Sequence, residues 1–197
     1  LKTTLAMMRL NWGTKVHIAI NILKFRFAGI KTGKKLRVQG FVGLYVEGNL
    51  IIGDNFRCTS GDMSNAMARN VRAYFKVAPD AVLKIGDNVG ISSATLWCAN
   101  SISIGNNVKI GALCIITDTD AHSLDPQLRA NITTDSINAQ TAPIFIEDNA
   151  FIGTSCIICK GVTIGRNAIV GAGSVVTRNI PDNEIWAGNP AKFIRRL

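Results

Sequence analysis

Residues 146–176 read IEDNAFIGTSCIICKGVTIGRNAIVGAGSVV, and in them Ile146, Ile152, Ile158, Ile164, Val170 and Val176 stand six apart without a slip. Six is not a helical period. On an α-helix every sixth side chain lies about 240° further round the axis, so these aliphatics would scatter over all faces. The same spacing recurs upstream at Ile85 and Ile91 and at Ile104, Ile110 and Ile116, so the period spans most of the chain.

Four residues after most of these aliphatics comes a small or β-branched side chain: Val89, Thr95, Val108, Cys114, Ala150, Cys156, Val162, Ala168 and Ser174. Gly follows the aliphatic at 86, 105, 111, 153, 165 and 171, and Asn recurs in Gly86-Asp87-Asn88, Gly105-Asn106-Asn107 and Gly165-Arg166-Asn167. Both residues tolerate left-handed backbone angles, which makes a turn feasible in each repeat. A strand with a corner every six residues cannot lie flat. It coils, and three such faces close one turn of about 18 residues in a parallel β-helix whose interior is a stack of aliphatic ladders. The 7% aromatic content agrees, since aromatics fit poorly inside so narrow a prism.

The pattern resembles the hexapeptide-repeat acyltransferases, above all in Ile152-Gly153-Thr154, Gly161-Val162-Thr163-Ile164-Gly165, Gly171-Ala172-Gly173-Ser174-Val175-Val176-Thr177 and Ala187-Gly188-Asn189-Pro190-Ala191-Lys192. Within them it looks most like the sugar and polysaccharide O-acetyltransferases. The match is strong over residues 80–197 and loose over 36–79, and 1–35 match nothing specific. The resemblance implies an all-β fold, a single-stranded left-handed parallel β-helix over 36–197, with a short N-terminal extension (1–35) open to a helical reading. The left hand comes from the resemblance alone.

Between Ile116 and Ile146 the repeat is lost, and the run from Thr117 through Asp118, Asp120 and His122 to Pro143 is polar. Continued unbroken, the template would put Asp120 and His122 inside the aliphatic stack, a burial costing several kcal/mol. The chain must therefore leave the coil as a loop over about 117–143, and a long excursion from a compact repeat is usually functional. An imidazole titrates near 6.5, so His122 suits a general base; the other reading is a plain surface histidine. Asp118, Asp120 and His122 share a face if the segment is extended, so either carboxylate could orient the ring.

The resemblance implies that His122 is catalytic, with Asp120 as its orienting partner. It implies direct transfer from acetyl-coenzyme A, without an acyl-enzyme and without a metal. Asp118 and Ser92 fall at acceptor positions, Ser92 where related enzymes carry Asn. Phe151 replaces a Trp that flanks the coenzyme thiol. Gly153, Thr154, Ala172, Thr177, Arg178, Lys192 and Arg195 sit where the family lines its coenzyme groove, although Gly153 and Ala172 are equally explained by repeat geometry. The family is typically a homotrimer with sites between subunits. An N-acetyltransferase of an amino-sugar nucleotide and a non-catalytic glycan-binding β-helix are the alternatives. Zinc carbonic anhydrases of similar coil sequence need three metal-bound histidines, whereas this chain has two, His17 and His122.

Residues 57–76 keep the rhythm less cleanly; they form either an ordinary surface excursion or part of an acceptor site, with Asn65 and Arg69 as candidates. Five cysteines suggest a disulfide framework or a metal site, but Cys156-x-x-Cys159 has no second pair at a suitable distance. Cys114 and Cys156 occupy the small inward position and read as core fillers, which suits a reducing compartment.

The net charge of +9 has a narrow origin. Nine Lys or Arg and no acid lie in 1–46, leaving 13 basic residues against 13 acidic ones from Glu47 onward. That distribution argues against a nucleic-acid partner for the body of the chain. Apolar clusters in the basic leader could cap the open end of the β-helix or contact another subunit; the same residues could approach an anionic membrane. The longest apolar stretch, Val16 to Leu23, is too short to span a bilayer and has no small-residue cleavage site after it. The expected location is the cytoplasm, with the inner membrane face as a second reading.

Overall fold

The computed structural model describes residues 2–61, 66–68 and 70–197, with side chains from Thr14 onward. Its strands are two to five residues long and pass in turn through three sheets. Sheet I has six strands, from Lys31–Thr32 to Thr163–Ile164; sheet III also has six, from Gly43–Val46 to Val175–Val176. Sheet II has eight, from Arg37–Gln39 to the terminal pair Glu184–Ala187 and Lys192–Arg196. Among the described residues every pair of strands is parallel except that terminal pair, which is antiparallel. The three sheets are the faces of a triangular prism, a left-handed parallel β-helix.

The ladders are as the spacing predicts. Ile104, Ile146 and Ile164 stack in sheet I, Ile91, Ile110, Ile152 and Val170 in sheet II, and Ile116, Ile158 and Val176 in sheet III, all buried. Full burial of each such side chain is worth about 1.5–3 kcal/mol. In the turns between sheets I and II, Asn88, Asn107, Asn149, Asn167 and Asn183 hold the left-handed backbone, with φ of 58–62°. The last four amides form a chain along the edge: Asn107 donates to Asn149 at 3.1 Å, Asn149 to Asn167 at 3.0 Å and Asn167 to Asn183 at 2.8 Å. The glycines of these turns have a different task. A Cβ on Gly86 would stand 2.7 Å from Asn106 Oδ1 and 2.8 Å from the Gly105 backbone, so successive coils could not stack.

Two expectations need correction. Thr95 points outward, because Ser93 (φ 40°) and Ala94 both turn inward and the coil shortens, giving the aliphatic place to Leu96. Aromatics do enter the prism: Phe56 and Phe75 are fully buried and meet edge to face at 6.4 Å, in a coil where Ala73 takes a small inward place.

The extension is a helix, α1 (Lys2–Phe27), and the coil begins at Lys31 rather than at 36. Phe25 of α1 is buried in the core, and Asn21 Nδ2 donates to the carbonyls of Val38 (3.0 Å) and Gly40 (2.8 Å), so α1 lies across the first coil.

Candidate active site

The chain leaves the edge between sheets III and I after Thr117 and re-enters sheet I at Ile144. A bridge between Thr119 and Thr141 closes the neck, and Asp120 N donates to Gln140 O (3.0 Å). Two short helices shape the excursion. The first, α2 (Pro126–Arg129), is capped by Asp125, whose Oδ1 accepts from Gln127 N at 2.8 Å; the second, α3 (Ile132–Ile137), is capped by Asn131, which accepts from Thr133 N at 2.9 Å. Arg129 Nη1 donates to Ser123 O (2.8 Å) and Thr134 Oγ1 to Leu128 O (2.6 Å), so polar bonds fold the loop on itself. The helices bury none of their residues, and Leu124, Ile132 (90% accessible) and Ile137 stay exposed.

This packing brings α3 back onto His122. Asp135 Oδ2 lies 2.7 Å from His122 Nδ1, while its Oδ1 accepts from Ser123 N at 2.8 Å. The imidazole is 68% accessible and the carboxylate 14%. The His122 hydrogen bond and then the Ser123 N–H hold the Asp135 carboxyl below its ordinary range, so it accepts and Nδ1–H donates. That tautomer leaves the Nε2 lone pair open to the outside, the arrangement a general base needs.

Asp120, expected to orient the ring, is instead paired with Lys160, whose Nζ is 3.3 Å from Oδ1. Asp118, expected at the acceptor, is fully buried and unavailable to a ligand. Its carboxylate accepts from the backbone N–H groups of Ala99 (2.6 Å), Asn100 (2.8 Å) and Ser101 (2.7 Å), fixing the turn of the preceding coil. Sequence reasoning missed Asp135 and Lys160. Asp135 lies 13 residues beyond His122 and reaches it only through the fold of the loop.

The other candidates fall on different parts of the prism. Ser92 and Phe151 line one groove of about 280 Å³ on the outer face of sheet II, with Arg57, Thr59, Gly90 and Lys109. Lys109 lies over Gly90 and donates to Asn88 O (2.7 Å); Thr59 Oγ1 donates to Ser92 Oγ (3.2 Å). Gly153, Thr154 and Ala172 occupy the edge between sheets II and III, where a Cβ on Gly153 would come within 2.6 Å of Ala172 N and Thr154 Oγ1 donates to Ala112 O (2.7 Å). Coil stacking therefore accounts for Gly153 and Ala172. Thr177 and Arg178 follow the last strand of sheet III on the same edge as the His122 loop, and Lys192 and Arg195 lie on the exposed terminal strand. Asn65 and Arg69 lie outside the described residues.

In a three-sided prism the edge between sheets III and I stands opposite sheet II. The loop that carries His122 and the Ser92–Phe151 groove therefore lie on different sides of the coil within a single chain.

Four of the five thiols are buried, and burial pushes the half-buried Cys159 thiol up. Burial pushes Cys58 up to about 12, and burial with the nearby Asp118 carboxylate does the same to Cys98. Cys114 and Cys156 are fully buried, their thiols donating to the carbonyls of Gly153 (3.0 Å) and Gly171 (3.1 Å).

Residues 143–178 match the family described as hexapeptide repeat of succinyl-transferase. A candidate lipopolysaccharide biosynthesis O-acetyl transferase of Escherichia coli K12, WbbJ, is 31% identical over 153 residues, covering 76% of this chain and 73% of WbbJ. The chain belongs to the hexapeptide-repeat acyltransferases. Within that family, galactoside O-acetyltransferase of Lactococcus lactis is 38% identical over 52% of this chain and 47% of its own length. The chain spans about half the length of the first curated relatives it matches. Among solved structures, a mutant of the N-acyltransferase AntD from Bacillus cereus, in complex with dTDP-4-amino-4,6-dideoxyglucose and coenzyme A, superposes with a TM-score of 0.67 at 20% identity, over 88% of this chain and 87% of AntD; the likeness is one of fold.

Proposed function

We propose that this hexapeptide-repeat protein transfers an acetyl group from acetyl-coenzyme A to a hydroxyl of a sugar or polysaccharide precursor. The observation that carries the reading is the His122–Asp135 pair, which presents Nε2 on a loop that the β-helix itself does not require. Nε2 takes the hydroxyl proton as the oxygen attacks the thioester carbonyl; the tetrahedral intermediate collapses, and the imidazolium returns the proton to the departing thiolate. Asp135 holds the ring and stabilises the imidazolium. The burial of four of the five thiols and the accessible His122 imidazole favour this direct route over an acyl-enzyme. The names of WbbJ and galactoside O-acetyltransferase support a sugar hydroxyl as acceptor.

A second copy of the chain completes the site, most simply in a trimer. Two observations favour it: the loop of His122 leaves from the edge opposite its own sheet II groove, and it exposes Leu124, Ile132 and Ile137, apolar surface that a neighbour would cover. Ser92, Phe151 and Lys109 of one copy then meet His122 of the next, with Arg178, Lys192 and Arg195 available to coenzyme phosphates.

The test is acetyl transfer from acetyl-coenzyme A across a panel of sugars, with products identified. His122→Ala should keep the fold and lose roughly 10²–10⁴ in kcat. Unchanged turnover in that variant would sink the assignment, and acetylation confined to amines would replace it with N-transfer.

A further inference from the structure

The described part of α1 carries two apolar stripes. One, Ile18 and Phe25 with the hydrogen-bonded Asn21 between them, faces the β-helix, with Asn21 and Phe25 buried. The other, Val16, Ile20, Leu23 and Phe27, repeats at intervals of four, three and four residues, so it runs along a single face about 16 Å long. All four are exposed, Phe27 at 89%. A helix docked only to cap the coil needs one such stripe. Lys15 and Arg26 are exposed beside it, and Lys31, Lys34, Lys35 and Arg37 are exposed on the first coil, which α1 packs against.

We propose that this face of α1 and the basic first coil dock on the surface of an anionic lipid bilayer, with the helix lying in the interface plane. The charge decides between occupants. A second copy brought against this face would oppose two segments that each carry nine positive charges and no negative one, and the rest of the chain, 13 basic against 13 acidic, has no net charge to offset them. A nucleic acid would satisfy the cations but leave Leu23 and Phe27 without an apolar phase. An anionic bilayer supplies both, headgroups for Lys and Arg and acyl chains for the stripe. No helix among the described residues is long and apolar enough to cross a membrane, so the contact is made at the surface. The proposal stands apart from the catalytic reading, because its readout is binding.

The experiment is co-sedimentation of the full chain with phosphatidylcholine vesicles containing or lacking phosphatidylglycerol. Binding to the anionic vesicles should exceed that to neutral ones roughly tenfold or more and fall as salt is raised. Leu23→Glu with Phe27→Glu, both on exposed positions, should lower it about as much while circular dichroism and the melting temperature hold. Lys15→Glu with Arg26→Glu should lower the anionic preference without touching the apolar stripe. Equal binding to both vesicle types, or none to either, overturns the proposal. So does loss of oligomer mass by Leu23→Glu with Phe27→Glu while vesicle binding is unaffected, since a second copy would then be the occupant.

Discussion

His122 was legible in the sequence because it broke a rule: a period that places aliphatics every six residues cannot admit an imidazole at the inward position, so the residue marks where the chain leaves the coil. Its partner was not legible. Asp118 and Asp120 stand beside His122 in sequence, yet Asp118 is consumed by three N–H groups of a neighbouring turn and Asp120 by Lys160, whereas Asp135 arrives through the fold of the loop. Asp135→Asn should therefore lower kcat about 10–100-fold, the scale of removing a group that orients a functional histidine, with KM little changed. Asp120→Asn should alter kcat less than Asp135→Asn does; the reverse order in steady-state kinetics would restore Asp120 as the orienting residue. The pair also has a pH signature. The folded Asp135 carboxyl is held below its ordinary range while the unfolded one titrates near 3.9. Its stabilisation is thus complete above about pH 4 and is lost as pH falls through the lower folded value. Urea midpoints of the wild type and Asp135→Asn should differ at neutral pH and converge on acidification; a gap that stays constant down to pH 2 contradicts this.

At the scale of the strand and turn, the period alone gave the ladders, because a side chain is forced inward wherever two faces of the prism meet the same register. It failed at Thr95, where the turn through Ser93 is one residue shorter than its neighbours and shifts the next strand by one place. The two positions make a direct comparison. Ile152→Ala should cost about 2–5 kcal/mol, as for truncating a packed core aliphatic, whereas Thr95→Ala should stay within about 0.5 kcal/mol. Denaturant melts that place the two losses on a par would return Thr95 to the interior. The helix α1 was legible only as a basic, apolar leader, since its alternatives differ in what it packs against and that information lies in the first coil.

For the whole molecule, composition marked a narrow aliphatic prism and a charge excess confined to its first end. It could not show that the proposed base and the groove stand on opposite sides, because that depends on how three sheets close on one another. In the proposed reading His122 of one copy serves the groove of the next, and such a shared site can be tested by complementation. Gly90→Phe fills the groove from an outward position and His122→Ala removes the base, and each variant should be inactive alone. Co-expressed in equal amounts, they should regain about a quarter of wild-type acetyl transfer, because one site in four then joins an intact loop to an intact groove in a cyclic assembly. Activity that stays at the level of the separate variants would contradict the shared site and with it the proposed catalytic geometry.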